Sequence, residues 1–431
     1  MSFAEPLPRE SKPRGRMRRR LRFTWPLFFA ALAIGAFIFY YVLTLGYLDP
    51  AVNDFVQQWF PLVSINEALV WVMAALGLNI VVGYAGLLDL GFVAFWAIGG
   101  YVAGWLMSGF FDKAHVNVLG NPAPFILGGI HINFWLVVIA GAAVCAFFGV
   151  LIGAPTLRLR SDYLALVTLG FGEIIPQVFH NGDDVGGLNI SNGTKGISPI
   201  DPVKSLSISQ QGVTFKSLGP FDHLSRYLIF VVLTILIVFM SLRLREGRLG
   251  RAWLAIREDE LAASAMGVPL MRTKLAAYGI GAVAGGVAGV AFAAHVSGVL
   301  PDRFQFSISI TLLAMVVLGG MGNVWGVMLG ALVLAWFNST GLPQLGDTFN
   351  STFGTSINFP SYSFLFFGGT LVLMMLFRRE GFLPESRTRL VLREPERTDM
   401  EALGSDIEEQ APELDGMRIG GKSGDDEGAR L

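Results

Sequence analysis

Long apolar runs recur along this chain between residues 23 and 380, and short clusters of charged residues separate them. A helix needs about 20 mainly apolar residues to cross the hydrocarbon core of a bilayer. Backbone inside that core must be hydrogen-bonded internally, which favours helices over irregular chain. The candidate spans are residues 25–47, 63–82, 86–107, 124–153, 162–180, 226–243, 273–298, 308–320, 324–340 and 362–377. They predict an all-α, polytopic integral membrane protein with about ten transmembrane helices, some of them short or broken.

The composition excludes a soluble globular protein of this length. Of the 431 residues, 53% are hydrophobic and only 15% are charged, whereas about 25% are charged in a typical soluble domain. The apolar run that begins at Phe23 is longer than the roughly 7–15 residues of a signal-peptide core, so we expect an uncleaved first span. The single cysteine, Cys145, excludes a disulfide within the chain and is expected to be a packing residue.

Basic residues fall on one side of this arrangement. Cytoplasmic loops of membrane proteins carry an excess of Lys and Arg. If the N-terminus is inside, every segment on the inside is basic: residues 1–22, 158–160, 243–274 and 378–379. The loops on the outside then hold few basic residues. The sequence therefore predicts an N-in, C-in topology. It also predicts a basic cytoplasmic segment 1–22, a transmembrane domain 23–380 and a long outside loop 181–225.

The last part of the chain, residues 385–431, is polar and acidic. From Glu394 onwards it holds twelve Asp or Glu against four Lys or Arg, a composition that cannot bury enough apolar surface to fold. We expect a disordered cytoplasmic tail. Residues 416–423 match the phosphate-loop pattern G-x-x-x-x-G-K-[ST], but no strand precedes them and eight residues follow. Energy must therefore come from another subunit, or none is used.

The cytoplasmic loop 246–270 combines helical periodicity with charge. Its apolar residues recur at helical spacing, and Gly267 is placed to end a helix ahead of Pro269. One interpretation is an amphipathic helix on the membrane surface. The acidic residues 258–260 argue against it, because anionic headgroups would repel them. A short helix with alanines on one face is better suited to a groove of a soluble partner.

Five separated blocks of this sequence resemble the LivM-type permease subunits of the branched-chain amino-acid ABC importer family. The blocks are residues 78–104, 158–175, 192–197, 250–268 and 301–331, and they follow the family order. The resemblance implies a transport subunit of the bacterial inner membrane rather than an enzyme, with no cofactor. It implies a second homologous permease subunit, two cytoplasmic ATP-binding subunits, a periplasmic substrate-binding protein and membrane lipid as partners, and no nucleic acid.

The resemblance also implies how ATP hydrolysis in the partners reaches this chain. It assigns ATPase coupling to Glu260, Ala262, Ala263 and Gly267, the alanine-rich stretch that ends in glycine. The general pattern of ABC permeases begins Glu-Ala-Ala, whereas here Leu261 takes the place of the glutamate and Glu260 lies one position earlier. The contact made by Glu260 therefore does not follow from the family pattern.

Polar groups in the apolar spans supply candidates for the translocation pathway. Such groups are costly in a membrane unless they are paired or solvated. The candidate pathway and gate residues are Asn79, Gly86, Asp89, Glu173, Gly322 and Asn323. Gly86 and Gly322 lie in two glycine-rich turns expected at the cytoplasmic side, where they form an inner gate or only allow close packing. Glu173 either lines the pathway or makes a hydrogen bond between helices, and Asp89 either lines it or caps a helix.

Other functions stay open from the residues alone. The chain shows neither a catalytic constellation nor metal-ligand spacing. A urea, short-amide or other small polar substrate is compatible with the same permease architecture. A passive channel or an ion-coupled secondary transporter predicts paired intramembrane charges and no docking loop, so the loop 246–270 argues against it. A membrane-anchored scaffold would account for the acidic tail but not for the glycine-broken spans.

Overall fold

The computed structural model describes residues 50–120, 128–159, 161–209, 212–217, 223–378 and 381–383, together with residue 35. The basic segment 1–22, nearly all of the expected span 25–47, and the acidic tail 385–431 with its phosphate-loop match lie outside these ranges.

Helices dominate the described chain. Helices α1 to α6 are Pro50–Trp59, Leu62–Leu78, Val93–Leu106, Phe134–Thr156, Ser161–His180 and His223–Glu246. Helices α7 to α13 are Arg248–Glu258, Glu260–Ala265, Leu270–Val296, Phe306–Gly319, Val324–Trp336, Leu342–Phe353 and Ser363–Phe377. Two π-helical segments, Asn79–Tyr84 and Phe337–Gly341, continue α2 and α11 without a break.

Eight of the described helical segments are long and apolar enough to cross a membrane. They are Leu62–Tyr84, Phe134–Thr156, Tyr163–His180, Ser225–Glu246, Leu270–Val296, Pro301–Gly319, Val324–Phe353 and Phe359–Phe377. Helix α3 is a shorter apolar helix of 14 residues. The prediction of an all-α polytopic membrane protein with some short or broken spans is confirmed.

Three predicted boundaries are wrong. The span 86–107 is helical only from Val93, because residues 85–92 form an irregular turn. The helix of the span 124–153 begins at Phe134, since residues 129–132 before it form a strand, Gly129–Ile132. The predicted spans 324–340 and 362–377 leave residues 341–361 as a loop, but the chain is helical as far as Phe353, because a helix that projects beyond the apolar core can carry polar side chains.

The core of the bundle lies around α2 and α9. In their most apolar windows, 83% and 78% of the residues are buried, against 6% in the last span, Phe359–Phe377. Helix α9 is rich in glycine and alanine, so neighbouring helices approach its backbone closely. A methyl group on Gly286 would meet the Sγ atom of Cys145 at 2.6 Å. Cys145 is fully buried there, which confirms its predicted role in packing.

Small sheets close one end of the bundle. Strands β1 to β3, Met107–Ser108, His115–Val118 and Gly129–Ile132, form a sheet in which β3 is antiparallel to β1 and parallel to β2. Strands β4 and β5, Lys204–Ser209 and Gly212–Ser217, form a hairpin. The buried pair His131 Nδ1 and Asp201 Oδ2, 2.7 Å apart, joins the loops that carry these two sheets.

Candidate coupling and pathway site

The candidate site lies in the polar loops at the end of the bundle opposite the small sheets. This end is where five helices finish and four begin: α2, α4, α6, α10 and α13 finish there, and α3, α5, α9 and α11 begin there. We call it the basic end, because the helix ends and connecting segments there carry basic residues, among them Arg158, Arg243, Arg245 and Arg378. The loop 246–270 and both glycine-rich turns lie at this end, as the sequence predicted.

The loop 246–270 contains two short helices, α7 and α8, where the periodicity suggested one. The Oδ1 atom of Asp259 accepts hydrogen bonds from the amides of Leu261 (2.8 Å) and Ala262 (3.0 Å). Asp259 therefore caps the start of α8. Gly267 has a φ of +84°, a left-handed conformation that favours glycine after a helix end. The predicted helix stop at Gly267 is confirmed.

The four predicted coupling residues differ in accessibility. Ala262 and Gly267 are exposed, whereas Ala263 is buried at 4% exposure. The side chains that project most from α8 and its end are instead Leu261, at 82% exposure, and Met266, at 86%. Neither side chain is among the predicted coupling residues, although both lie within the alanine-rich block.

Glu260 contacts its own chain. Its Oε1 atom lies 2.5 Å from the Nζ atom of Lys274, which is buried at the start of α9. This ion pair ties the start of α8 to a spanning helix. The Glu260 carboxylate is about half exposed, so its position is fixed by a contact within this chain while one side faces solvent.

Helix α7 is anchored to the end of α2. The ring of Trp253 is fully buried, its Nε1 donates to the carbonyl of Thr273 at 2.8 Å, and it stacks on Tyr84 with the ring centroids 6.4 Å apart. One turn further along, an Nη atom of Arg257 donates to the carbonyl of Gly83 at 2.6 Å. The loop 246–270 is therefore bonded to the π-helical segment Asn79–Tyr84.

The same π-helical segment contacts the second glycine-rich turn. Asn79 is fully buried, and its Oδ1 atom accepts a hydrogen bond from the amide of Gly322 at 2.9 Å. Gly83 makes this approach possible. A methyl group there would overlap Asn79 Oδ1 and lie 2.7 Å from the nitrogen of Gly322. We call Asn79, Gly83, Arg257 and Gly322 the junction. π-Helical turns are rare and often mark functional sites.

Both glycines predicted as gate residues lie at or beside the junction. Gly86 has a φ of +69° and Gly322 a φ of +87°, so each turn needs a residue that tolerates the left-handed region. A Cβ atom at Gly86 would lie 2.8 Å from Cγ of Arg257. The structure thus brings Asn79, Gly86 and Gly322 together as one cluster. Their gate role stays a prediction.

Asp89 shapes the turn before α3 rather than capping the helix. It is buried, and its Oδ1 atom accepts a hydrogen bond from the amide of Gly91 at 2.9 Å. The side chain of Tyr278 from α9 lies beside the carboxylate. The helix itself is capped from another span, since the amide of Val93 donates to Oγ of Ser309 at 3.0 Å. The capping alternative for Asp89 is wrong.

The last two predicted pathway residues, Asn323 and Glu173, make none of the hydrogen bonds that form the junction. Asn323 caps α11: its Oδ1 accepts from the amide of Trp325 at 3.1 Å, and its Nδ2 donates to the carbonyl of Leu383 at 3.0 Å. Glu173 is exposed on α5, and its carboxylate makes no hydrogen bond to the described residues. Among the described helices, no hydrogen bond to Glu173 links one helix to another, and its role in the pathway stays a prediction.

Arg257 and Trp253 are the main residues that sequence reasoning missed. A tryptophan within a charged loop, followed four residues later by an arginine on the same helical face, was the available signal. This spacing indicates that one face of α7 is buried. It does not indicate that the side chain of Arg257 reaches a backbone carbonyl 174 positions earlier in the chain.

Fold and site together define a multi-pass helical membrane protein with a structured polar loop tied to the ends of its spanning helices. Residues 61–375 match the family described as branched-chain amino acid transport system / permease component. The chain belongs to this family of permeases. No solved structure matches it.

Similar proteins carry related names. The chain is 37% identical over 340 residues to the high-affinity branched-chain amino acid transport system permease protein LivM of Escherichia coli, covering 75% of this chain and 70% of the relative. It is 25% identical over 347 residues to a probable LivM of Methanocaldococcus jannaschii, covering 74% and 93%. A shorter match, 32% identical over 106 residues, is to the permease protein LivH of Escherichia coli, covering 25% and 34%.

Proposed function

We propose that this chain is one permease subunit of an ATP-driven importer of branched-chain amino acids in the bacterial inner membrane. The family match and the LivM relatives support the substrate class. The observation that supports ATP as the energy source is the geometry of the loop 246–270, which we call the coupling loop. It presents apolar side chains outward and is hydrogen-bonded inward to the junction. An ion-coupled transporter has no ATP-binding subunits for such a loop to contact.

The partners follow from this assignment. The match to LivH, a second permease in an organism that also has LivM, supports pairing of this chain with a homologous permease subunit. Two ATP-binding subunits contact the coupling loops on the cytoplasmic side, and a periplasmic binding protein delivers the amino acid to the sheet-bearing end. The chain is then oriented with its basic end, and both termini, in the cytoplasm.

The geometry suggests how ATP would drive transport. Closure of the ATP-binding subunits displaces α8, and the Glu260–Lys274 pair and the Arg257–Gly83 hydrogen bond pass this movement to α9 and α2. Because Asn79 bonds to Gly322, the end of α2 moves with the turn between α10 and α11. Such rigid-body movement opens one side of a central site while closing the other.

Uptake by the reconstituted importer tests the function. In liposomes that contain this chain, its companion permease and the ATP-binding subunits, with the binding protein added outside, we expect ATP-dependent uptake of radiolabelled leucine, isoleucine and valine. Urea and short amides serve as competitors. Competition by urea at the same concentration as leucine would assign the amide class of substrate, and uptake without ATP would reject the ATP-driven mechanism.

Replacement of Leu261 or Met266 by aspartate should release the ATP-binding subunits. Burial of a side chain of this size contributes about 1.5–3 kcal/mol, which corresponds to a roughly 10- to 100-fold weaker association for each change. Recovery of the ATP-binding subunits with tagged permease, measured over a concentration series, gives the magnitude. Neither side chain is buried in the permease, so its fold should persist.

Leu249 provides the matched control for this experiment. It is an apolar residue of the same loop, on α7, and is 41% exposed. Leu249→Asp introduces the same charge on the same segment but away from α8, and should retain the ATP-binding subunits. Equal loss in all three variants would show a general charge effect and remove the assignment of α8 as the docking helix.

A further inference from the structure

Helix α5 has one face that no described part of the chain covers. The residues of this face recur at spacings of three and four, as Tyr163, Leu166, Gly170, Glu173 and Gln177. Tyr163 is 61% exposed and Leu166 is 65% exposed. A Cβ atom built on Gly170 has no heavy atom within 4 Å. This stripe, which we call the α5 face, has the periodicity of a helix-packing seam.

The opposite side of α5 is firmly packed. Oγ1 of Thr168 accepts a hydrogen bond from the amide of Leu90 at 3.1 Å. The ring of Phe179 stacks on Tyr101 with centroids 3.7 Å apart and planes at 8°. Since α5 is fixed from behind, the α5 face points away from the bundle in a defined orientation.

The chemistry of the α5 face is unsuited to lipid. Glu173 is the thirteenth of the 20 residues of α5, which places it about 10 Å from the end of the helix at 1.5 Å per residue, well inside a bilayer. A charged side chain near the centre of a spanning helix costs about 2.5–3.5 kcal/mol on insertion scales. Gln177 lies one turn further along the same exposed stripe.

Helix α4 shows what a lipid-facing stripe looks like in this chain. Its exposed side chains include Ile139 (65%), Phe147 (63%) and Leu151 (55%), all apolar. Helix α5 also exposes the apolar side chains of Ile174 (54%) and Val178 (46%), but its surface differs from that of α4 by a carboxylate, an amide and an open glycine. An apolar stripe meets the requirements of acyl chains, whereas a stripe with a carboxylate, an amide and an open glycine fits a protein surface that supplies hydrogen-bond donors and packs closely.

We infer that the α5 face is the contact surface for a spanning helix of the companion permease. This rests on the proposed function, which requires such a subunit. The partner helix lies against Gly170, where backbones can approach, and presents a hydrogen-bond donor to Glu173. Because Thr168 on the back of α5 contacts the turn 85–92, the subunit interface lies one helix away from the junction.

Photo-crosslinking in the assembled importer tests this assignment. With p-benzoylphenylalanine at Leu166, we expect an adduct whose mass is the sum of this chain and the companion permease. The same probe at Phe147 on α4 serves as the control and should give no such adduct. An adduct with a second copy of this chain, or with lipid alone, or none at Leu166 would overturn the inference. Glu173 stays native, so folding is not at issue.

Substitution of Glu173 gives an independent readout. Glu173→Leu should lower recovery of the companion permease in mild detergent more than tenfold, whereas Glu173→Gln, which keeps a hydrogen-bonding group, should retain most of it. If Glu173→Leu binds the companion as well as the native chain does, the α5 face is not the interface. Absence of the companion from the native preparation, together with no ATP-driven uptake, would instead reject the proposed function.

Discussion

Gly83→Ala should reduce amino-acid uptake by more than tenfold at equal protein level in the membrane. The added methyl group would overlap Oδ1 of Asn79 and lie 2.7 Å from the amide of Gly322. If Asn79 swings away, the buried amide of Gly322 loses its acceptor, at a cost of about 1–3 kcal/mol. The side chain cannot stay in place, because Asn79 and Gly83 lie on the same π-helical segment. The approach to the Gly322 nitrogen also forces the 320–323 turn away from this segment, so the junction opens.

The measurement is uptake of radiolabelled leucine together with the melting temperature of the purified permease. Gly368→Ala is the matched control, because Gly368 also lies in a spanning helix but has open space around its Cβ position. We expect that variant to behave like the native chain. Native uptake by Gly83→Ala, with an unchanged melting temperature, would show that the junction is not part of the transport mechanism.

The spanning helices could be predicted because the number of consecutive apolar residues determines whether a helix can cross the bilayer. Bilayer thickness sets how many residues a helix needs, and this requirement overrides local propensity. The errors occurred where apolar length is not decisive. Residues 129–132, Gly-Ile-His-Ile, are mainly apolar but form a strand, and a short, mainly apolar run does not distinguish a strand from a helix. The polar end of α12 was missed because it projects beyond the apolar stretch.

The candidate site was predictable in its parts but not in its connections. The sequence identified Asn79, Gly86 and Gly322 through the cost of buried polar groups and the freedom of glycine. Their meeting depends on a bond between residues 243 positions apart, which local patterns do not encode. The coupling loop could be recognised from periodicity and resemblance, yet its most exposed side chains, Leu261 and Met266, are not those of the family pattern.

Arg257→Ala should uncouple ATP hydrolysis from transport. The hydrogen bond from Arg257 to the Gly83 carbonyl links α7 to α2, and a hydrogen bond from a charged donor contributes about 1.5–3 kcal/mol. The side chain does not lie on α8, where the ATP-binding subunits dock in our proposal. We therefore expect those subunits to remain bound and to hydrolyse ATP, while the number of leucine molecules imported per ATP falls at least tenfold.

Two further variants separate coupling from charge. Arg257→Lys keeps a positively charged donor but lacks the planar guanidinium. It should restore part of the ratio of leucine imported to ATP hydrolysed. Arg251→Ala removes an equal charge from the same helix, but the Arg251 side chain reaches only the nearby carbonyl of Glu246, at 3.3 Å, so its ratio should stay native. An unchanged ratio in Arg257→Ala would mean that movement reaches the spanning helices by another route. The Glu260–Lys274 pair, which joins α8 directly to α9, would then be the connection that carries it.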